Sequence, residues 1–194
     1  MKQILIIILS LNWVLTSFAQ ESNNHILLDG FTAAKVSEKS WVYNQTGFRM
    51  LASSPTGLKN VNIAAEAFVV DQGFAQGLIG LEFRIAKILY FTTLVGIANT
   101  PQNPLRLGTS LHLRHHKLEA LTVYQWCPQS DYFYVGKLAY RLNKISLGIR
   151  SQRFLNTGVY VDYSISRHLT LWTQAGHNFE VKGQSIAIGL TSLF

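Results

Sequence analysis

Gln184-Ser185-Ile186-Ala187-Ile188-Gly189-Leu190-Thr191-Ser192-Leu193-Phe194 ends the chain, and its period decides the fold. Ile186, Ile188, Leu190 and Phe194 fall at every second position, with Ser192 the one gap; Ser185, Ala187, Gly189 and Thr191 take the alternate places. Period-two alternation describes a strand between two different environments. As the edge of a soluble sheet, such an apolar strand invites aggregation. In a closed membrane barrel the last strand pairs with the first, and its apolar face meets lipid.

The same alternation recurs upstream. Leu105, Leu107, Thr109, Leu111 and Leu113 against Arg106, Gly108, Ser110, His112 and Arg114 is the cleanest case. Val61 to Val69, Ile79 to Ala86, Leu118 to Trp126, Tyr132 to Leu142, Ile145 to Gln152, Val159 to Ser166 and Leu169 to Ala175 follow it. Ile88 to Ala98 is apolar on both faces, which leaves its register open. With the final strand this makes ten from Val61 onward. Gly30–Ser37 and Trp41–Ala52 alternate poorly, and Ser53 to Gly57 reads as a turn. Counting those two segments as a hairpin gives twelve strands; ten is the alternative, but it leaves residues 20–60 without a place. Glu21 to Asp29 reads as a lead-in to the first strand.

A meander of short-linked strands closes most simply as an antiparallel up-and-down barrel. A soluble barrel would hold its apolar residues inside. Here one face of nearly every strand is apolar, while the other carries Gly, Ser, Asn and charge, which suits lipid outside and a polar lumen. The fold class expected is therefore all-β, a twelve-stranded transmembrane β-barrel over residues 20–194.

Residues 1–19 read as a cleaved secretory signal: Lys2, an apolar core from Ile4 to Leu15, and the small-x-small site Ser17-Phe18-Ala19. The apolar core is short for a spanning anchor helix, which needs about 20 residues. Hydrophobic residues make up 48% of the chain and charged ones 14%, against roughly 25% charged in soluble domains. A barrel reconciles this with the lack of a long apolar run, because its apolar residues are spread one in two. The single Cys127 excludes an intramolecular disulfide framework. The formal charge of +7 is scattered over strand-like segments with no basic helix, which with export argues against a nucleic-acid role.

The connections differ in kind. Ala86-Lys87, His115-His116, Asn143-Lys144 and Arg167-His168 are tight, whereas Asp71 to Gln76, Asn99 to Pro104, Cys127 to Ser130, Leu155 to Gly158 and Asn178 to Gly183 are longer. Membrane barrels have short periplasmic turns and longer outer loops. The tight set is thus expected in the periplasm, where Lys87, Arg114, Lys117, Arg141, Lys144 and Arg167 would form a basic rim. Tyr124, Trp126, Tyr132 and Tyr134 at one set of strand ends, and Tyr90, Phe91, Tyr140 and Phe194 at the other, read as two interfacial girdles.

The signal, the strand repeat and the closing strand on Phe194 resemble the small outer-membrane barrels of Gram-negative bacteria, and the Asn/Gln-rich style resembles Bacteroidota examples. The resemblance implies an outer-membrane location, outer-membrane lipids and lipopolysaccharide as surroundings, and recognition of the Phe194 strand by the outer-membrane assembly machinery.

Three constellations invite a chemical reading. His112, His115 and His116 gather at one turn with Glu119 nearby; strand neighbours point to opposite faces, which favours a His112–Glu119 cross-strand pair over a metal site. Asp162, Ser164 and His168 lie close in sequence, but the register sets them at different heights, so no catalytic triad is read, and no cofactor motif is present. Glu66, Glu82, Arg84, Arg106, Lys137, Arg150 and Asp162 fall on lumen-facing positions. They form either a structural ion network, with Glu66 and Glu82 confronting Lys137 and Arg150 across the lumen, or a constriction for solutes. The function classes left are a structural or accessory barrel, partnered with an envelope machine; a narrow passive pore; and a lipid-modifying enzyme.

Overall fold

A computed structural model describes residues 25–36, 41–71, 73–100, 104–127, 132–180 and 182–194. The signal segment lies outside the described residues. Twelve strands follow one another: β1 His25–Val36, β2 Trp41–Pro55, β3 Val61–Val70, β4 Ala75–Ala86, β5 Leu89–Ala98, β6 Leu105–His115, β7 Leu118–Trp126, β8 Tyr132–Leu142, β9 Ile145–Gln152, β10 Asn156–Ser164, β11 Leu169–Asn178 and β12 Gly183–Leu193. Each pairs antiparallel with the next, and β1 pairs with β12 from Leu27↔Leu193 to Val36↔Gln184, so the sheet closes on itself. Closure leaves no unpaired edge. Past the last strand, Phe194 and Ile26 exchange two backbone hydrogen bonds.

Alternation sorts the side chains as the sequence requires. Ile186 and Ile188 of β12 are exposed, whereas Ser185 and Ala187 are buried. Leu107, Leu111, Leu138, Leu147 and Ile149 likewise stand exposed on the outer surface. These residues give the barrel an apolar exterior. β5, whose register was open, turns Thr93, Val95 and Ile97 outward.

Five elements depart from the sequence expectation. β1 begins at His25, so Asp29 lies within a strand rather than in a lead-in. β2 runs through Pro55, beyond the expected end at Ala52. The tight turns fall one residue later at Lys87-Ile88 and His116-Lys117. His116, and Asn143 in the turn between β8 and β9, take up positive φ, 52° and 56°, a conformation that His and Asn enter more readily than bulkier residues. β10 starts at Asn156, confining the preceding turn to residues 153–155. Finally, Tyr90 pairs with His112 in the β5–β6 register and lies under the Arg84 guanidinium. It faces the lumen mouth and not the lipid girdle. Tyr124, Trp126, Tyr132 and Tyr140 are exposed as expected.

Candidate functional site

The lumen is filled at mid-height. Inward positions carry large side chains: Phe31 of β1, Phe68 of β3, Phe133 of β8, Tyr160 of β10 and Trp172 of β11. Phe68 stacks with Phe31 at 6.4 Å and reaches Phe133 at 5.8 Å between centroids. Phe31 also meets Trp172 at 6.4 Å, and Trp172 meets Tyr160 at 6.2 Å. The expected polar lumen is therefore corrected to an aromatic layer flanked by polar groups. The signal was legible: Phe68, Tyr160 and Trp172 sit on the otherwise polar face of their strands.

Beside the rings lies a buried hydrogen-bonded cluster. Glu66 accepts from Arg49 Nη2 at 2.9 Å, from Gln125 Nε2 at 2.7 Å and from Gln76 Nε2 at 3.3 Å. Gln76 Nε2 also lies 2.7 Å from Gln125 Oε1. Because β3 and β7 are not neighbours, the Glu66–Gln125 bond spans the lumen. On the other wall Lys137 Nζ contacts Glu119 at 3.1 Å and Asp162 at 3.9 Å and lies over the Tyr160 ring. The Arg150 guanidinium stacks over Trp172 at 4.5 Å and donates to Gln152 Oε1 at 2.7 Å. Trp172 Nε1 and the Thr191 hydroxyl both donate to Asp29 Oδ1, at 2.7 and 2.8 Å.

The expected confrontation of Glu66 and Glu82 with Lys137 and Arg150 is not the arrangement found. Glu66 is taken by Arg49 on the adjacent strand. Glu82 accepts from Ser53 Oγ at 3.0 Å and Asn62 Nδ2 at 2.9 Å. Lys137 has Glu119 and Asp162 instead. Arg84 has inward parity but stands exposed at the turn end. Arg106 is buried near the loop end, with its guanidinium donating to Thr100 Oγ1 and lying over the Phe74 ring. Sequence reasoning missed Arg49, Asp29, and the lumen role of Glu119.

Lys87, Arg114, Lys117, Arg141, Lys144 and Arg167 are all exposed at the turn end. Lys59 and Arg84 join them, and among the described residues no exposed Asp or Glu stands there. His112 contacts Glu119 at 3.1 Å, though the direct register partner of Glu119 is Arg114. His115 and His116 meet edge to face, and among the described residues no group of three or more His, Cys, Asp or Glu converges on a metal-sized point. Ser164 and Asp162 share the inner face of β10, whereas His168 in the turn donates its Nδ1 hydrogen to the Leu193 carbonyl. These three form no triad.

Above the layer, toward the loop end, a cavity of about 180 Å³ opens between Phe31, Phe68, Phe74, Phe133 and Phe154, with four glutamines, Gln45, Gln76, Gln125 and Gln152, among its walls.

No family model matches this chain, and no curated protein matches it. Solved structures share its fold. The KdgM porin superposes with a TM-score of 0.54 at 12% identity, over 87% of this chain and 99% of its own. Outer membrane phospholipase A from Escherichia coli gives 0.54 at 14% identity, over 86% and 92%. The NanC porin gives 0.53 at 12%, over 85% and 98%. At these identities the likeness establishes a shared barrel architecture and nothing of the activity.

Proposed function

We propose that this chain is an integral outer-membrane barrel with a structural or accessory role, its lumen closed at mid-height. The apolar exterior requires a lipid surround, and the architecture is that of barrels named for the outer membrane. The observation that carries the closed-lumen reading is the pair of contacts across the lumen, Phe68 with Phe133 and Glu66 with Gln125. They join β3 to β8 and β7, strands on opposite walls, so a water column has no straight path. The exposed cations of the turn end fit a periplasmic rim that attracts anionic lipid headgroups or an acidic envelope partner. In this reading the assembly machinery recognises the strand that ends in Phe194, and lipopolysaccharide surrounds the loop end.

Planar-bilayer recording tests it. The purified protein should give no steady conductance steps, whereas the double variant Phe68→Ala, Phe133→Ala should give them. Steady wild-type conductance at low voltage would overturn the closed-lumen role. A second reading is favoured by the fold shared with two porins, KdgM and NanC, one KdgM structure being a complex with disordered oligogalacturonate. In that reading the chain is a narrow pore for small solutes, and the aromatic layer is a constriction that must part before anything passes.

A further inference from the structure

We propose that the loop-end cavity is a binding site for a neutral sugar ring, such as the terminal residue of a saccharide. The inference rests on the cavity alone and stands whether or not the barrel conducts.

The walls supply two kinds of surface. Phe31, Phe68, Phe74, Phe133 and Phe154 present aromatic rings, and Gln45, Gln76, Gln125 and Gln152 present side-chain amides. A sugar ring has one apolar face of C–H groups and an equator of hydroxyls, each able to donate and accept. A carboxamide also donates and accepts, so it matches a hydroxyl pair where a carboxylate or ammonium would match only half. An acyl chain would leave the buried Gln45 oxygen without a hydrogen bond. An anionic ligand would want a cation to spare. Both arginines of the wall are engaged: Arg153 holds Glu180 at 2.8 Å and stacks on Tyr132, and Arg106 bonds Thr100 and lies over Phe74.

Gln45 is the decisive group. Its residue is 6% exposed and lines the cavity, and its Oε1 is buried with no hydrogen-bond partner among the described residues. A buried amide oxygen left unpaired is destabilising. The other cavity glutamines are tied into the structure: Gln76 and Gln125 to Glu66, and Gln152 to Arg150. Gln45 thus has an acceptor for which the described residues supply no donor, as a ligand-facing group would. The size agrees with a single ring: about 180 Å³ is several times the roughly 30 Å³ share of a liquid water.

The test uses the full-length folded barrel in a detergent without a sugar headgroup. Saturation-transfer NMR is run against methyl hexosides, malto- and chito-oligosaccharides as neutral probes, and oligogalacturonate as the acidic one. The expected result is transfer to at least one neutral probe, concentrated on its terminal ring. Binding should weaken about tenfold with Gln45→Leu, the loss of one hydrogen bond, and also with Phe154→Ala at the exposed loop position. Because the Gln45 side-chain oxygen bonds nothing among the described residues, and the backbone pairing with Ala33 does not depend on the side chain, Gln45→Leu should fold as well as the wild type or better, which keeps the test readable. No transfer to any neutral probe, transfer to oligogalacturonate alone, or neutral binding that both variants leave unchanged would each overturn the proposal.

Discussion

Glu66→Gln should be far more damaging than Glu82→Gln, although both remove one lumen carboxylate. Glu66 is 4% exposed, and its carboxylate holds the Arg49 guanidinium at 2.9 Å and two glutamine amides. A carboxamide at position 66 has one oxygen for three donors and brings an NH₂ of its own toward Arg49. The arginine would then keep no carboxylate within ion-pair distance among the described residues, its cross-strand neighbour Asp29 being held by Trp172 and Thr191. Removing one partner of a buried pair costs about 3–5 kcal/mol. The Arg49 side chain retains 12% exposure, so some hydration survives and the lower end, about 3 kcal/mol, applies. That lowers the folded-to-unfolded ratio by about two orders of magnitude. Glu82 is half-buried and among the described residues accepts from the neutral Ser53 and Asn62 alone. A glutamine oxygen can replace it there at a cost of about 1 kcal/mol or less. Urea unfolding in micelles, read by the fluorescence of the buried Trp172 and by heat-modifiable gel mobility, measures both. Adding Arg49→Met to Glu66→Gln should recover at least about 1 kcal/mol as a coupling energy. Equal costs for the two glutamine variants, or no coupling between positions 49 and 66, would refute the reasoning.

Leu111→Arg should destabilise by about 2–4 kcal/mol, the cost of a midplane arginine on a lipid face, and clearly more than Ser110→Arg on the opposite face; equal unfolding midpoints would mean the faces are misassigned. Deleting Phe194 should lower the heat-modifiable fraction recovered from outer membranes, since its carbonyl and amide both bond Ile26 at the barrel seam; Phe194→Asp keeps those backbone bonds and should lower the fraction by placing a charge where an apolar ring meets the interface. Cysteines at Lys144 and Phe179 should label from opposite sides of intact cells with an impermeant maleimide; labelling of both from outside would break the topology. Gly158, which has the right height for such a probe, is unsuitable because any side chain there would run into the Ala175 carbonyl.

The strand count was legible because each outward face repeats every two residues and the turns carry their own local signals. The six rim cations could be placed for the same reason: a turn position fixes the height of its neighbours. β1 read weakly because its contrast is inverted, with Phe31 in the lumen and Thr32 on the exterior, where its hydroxyl meets that of Thr46 at 3.4 Å. Asp29 was misread for a different reason. It follows Leu27 and Leu28 like the end of a lead-in, and the groups that hold it, Trp172 and Thr191, lie 143 and 162 residues away. Alternation gives parity and approximate height, but it does not give which inward groups meet across the lumen. The charges of Glu66 and Lys137 were therefore placed on the correct face and matched to the wrong partners.

The closing layer follows from the width of a twelve-stranded barrel. About eight strands enclose a space that ordinary side chains fill, and the diameter grows with strand number. Closing a twelve-stranded lumen therefore takes the longest side chains available, and the layer consists of Phe, Tyr, Trp, Arg and Gln. Two of its rings also need room on the wall. Gly47 leaves space for Phe31, and Gly189 leaves space for Trp172; a Cβ at either position would collide with the ring. The layer divides the interior into unlike halves. The loop-end half is lined by phenylalanines and amides, whereas the turn-end half carries Glu82, Glu119, Lys137 and His112 between the layer and a rim of cations. Gln76 and Gln125 belong to both the cavity wall and the Glu66 cluster. Anything that reorients those two amides from the loop end also removes donors from Glu66, and the Arg49 pair then bears the change. That short chain of hydrogen bonds would link the proposed ligand in the cavity to the side chains that fill the lumen.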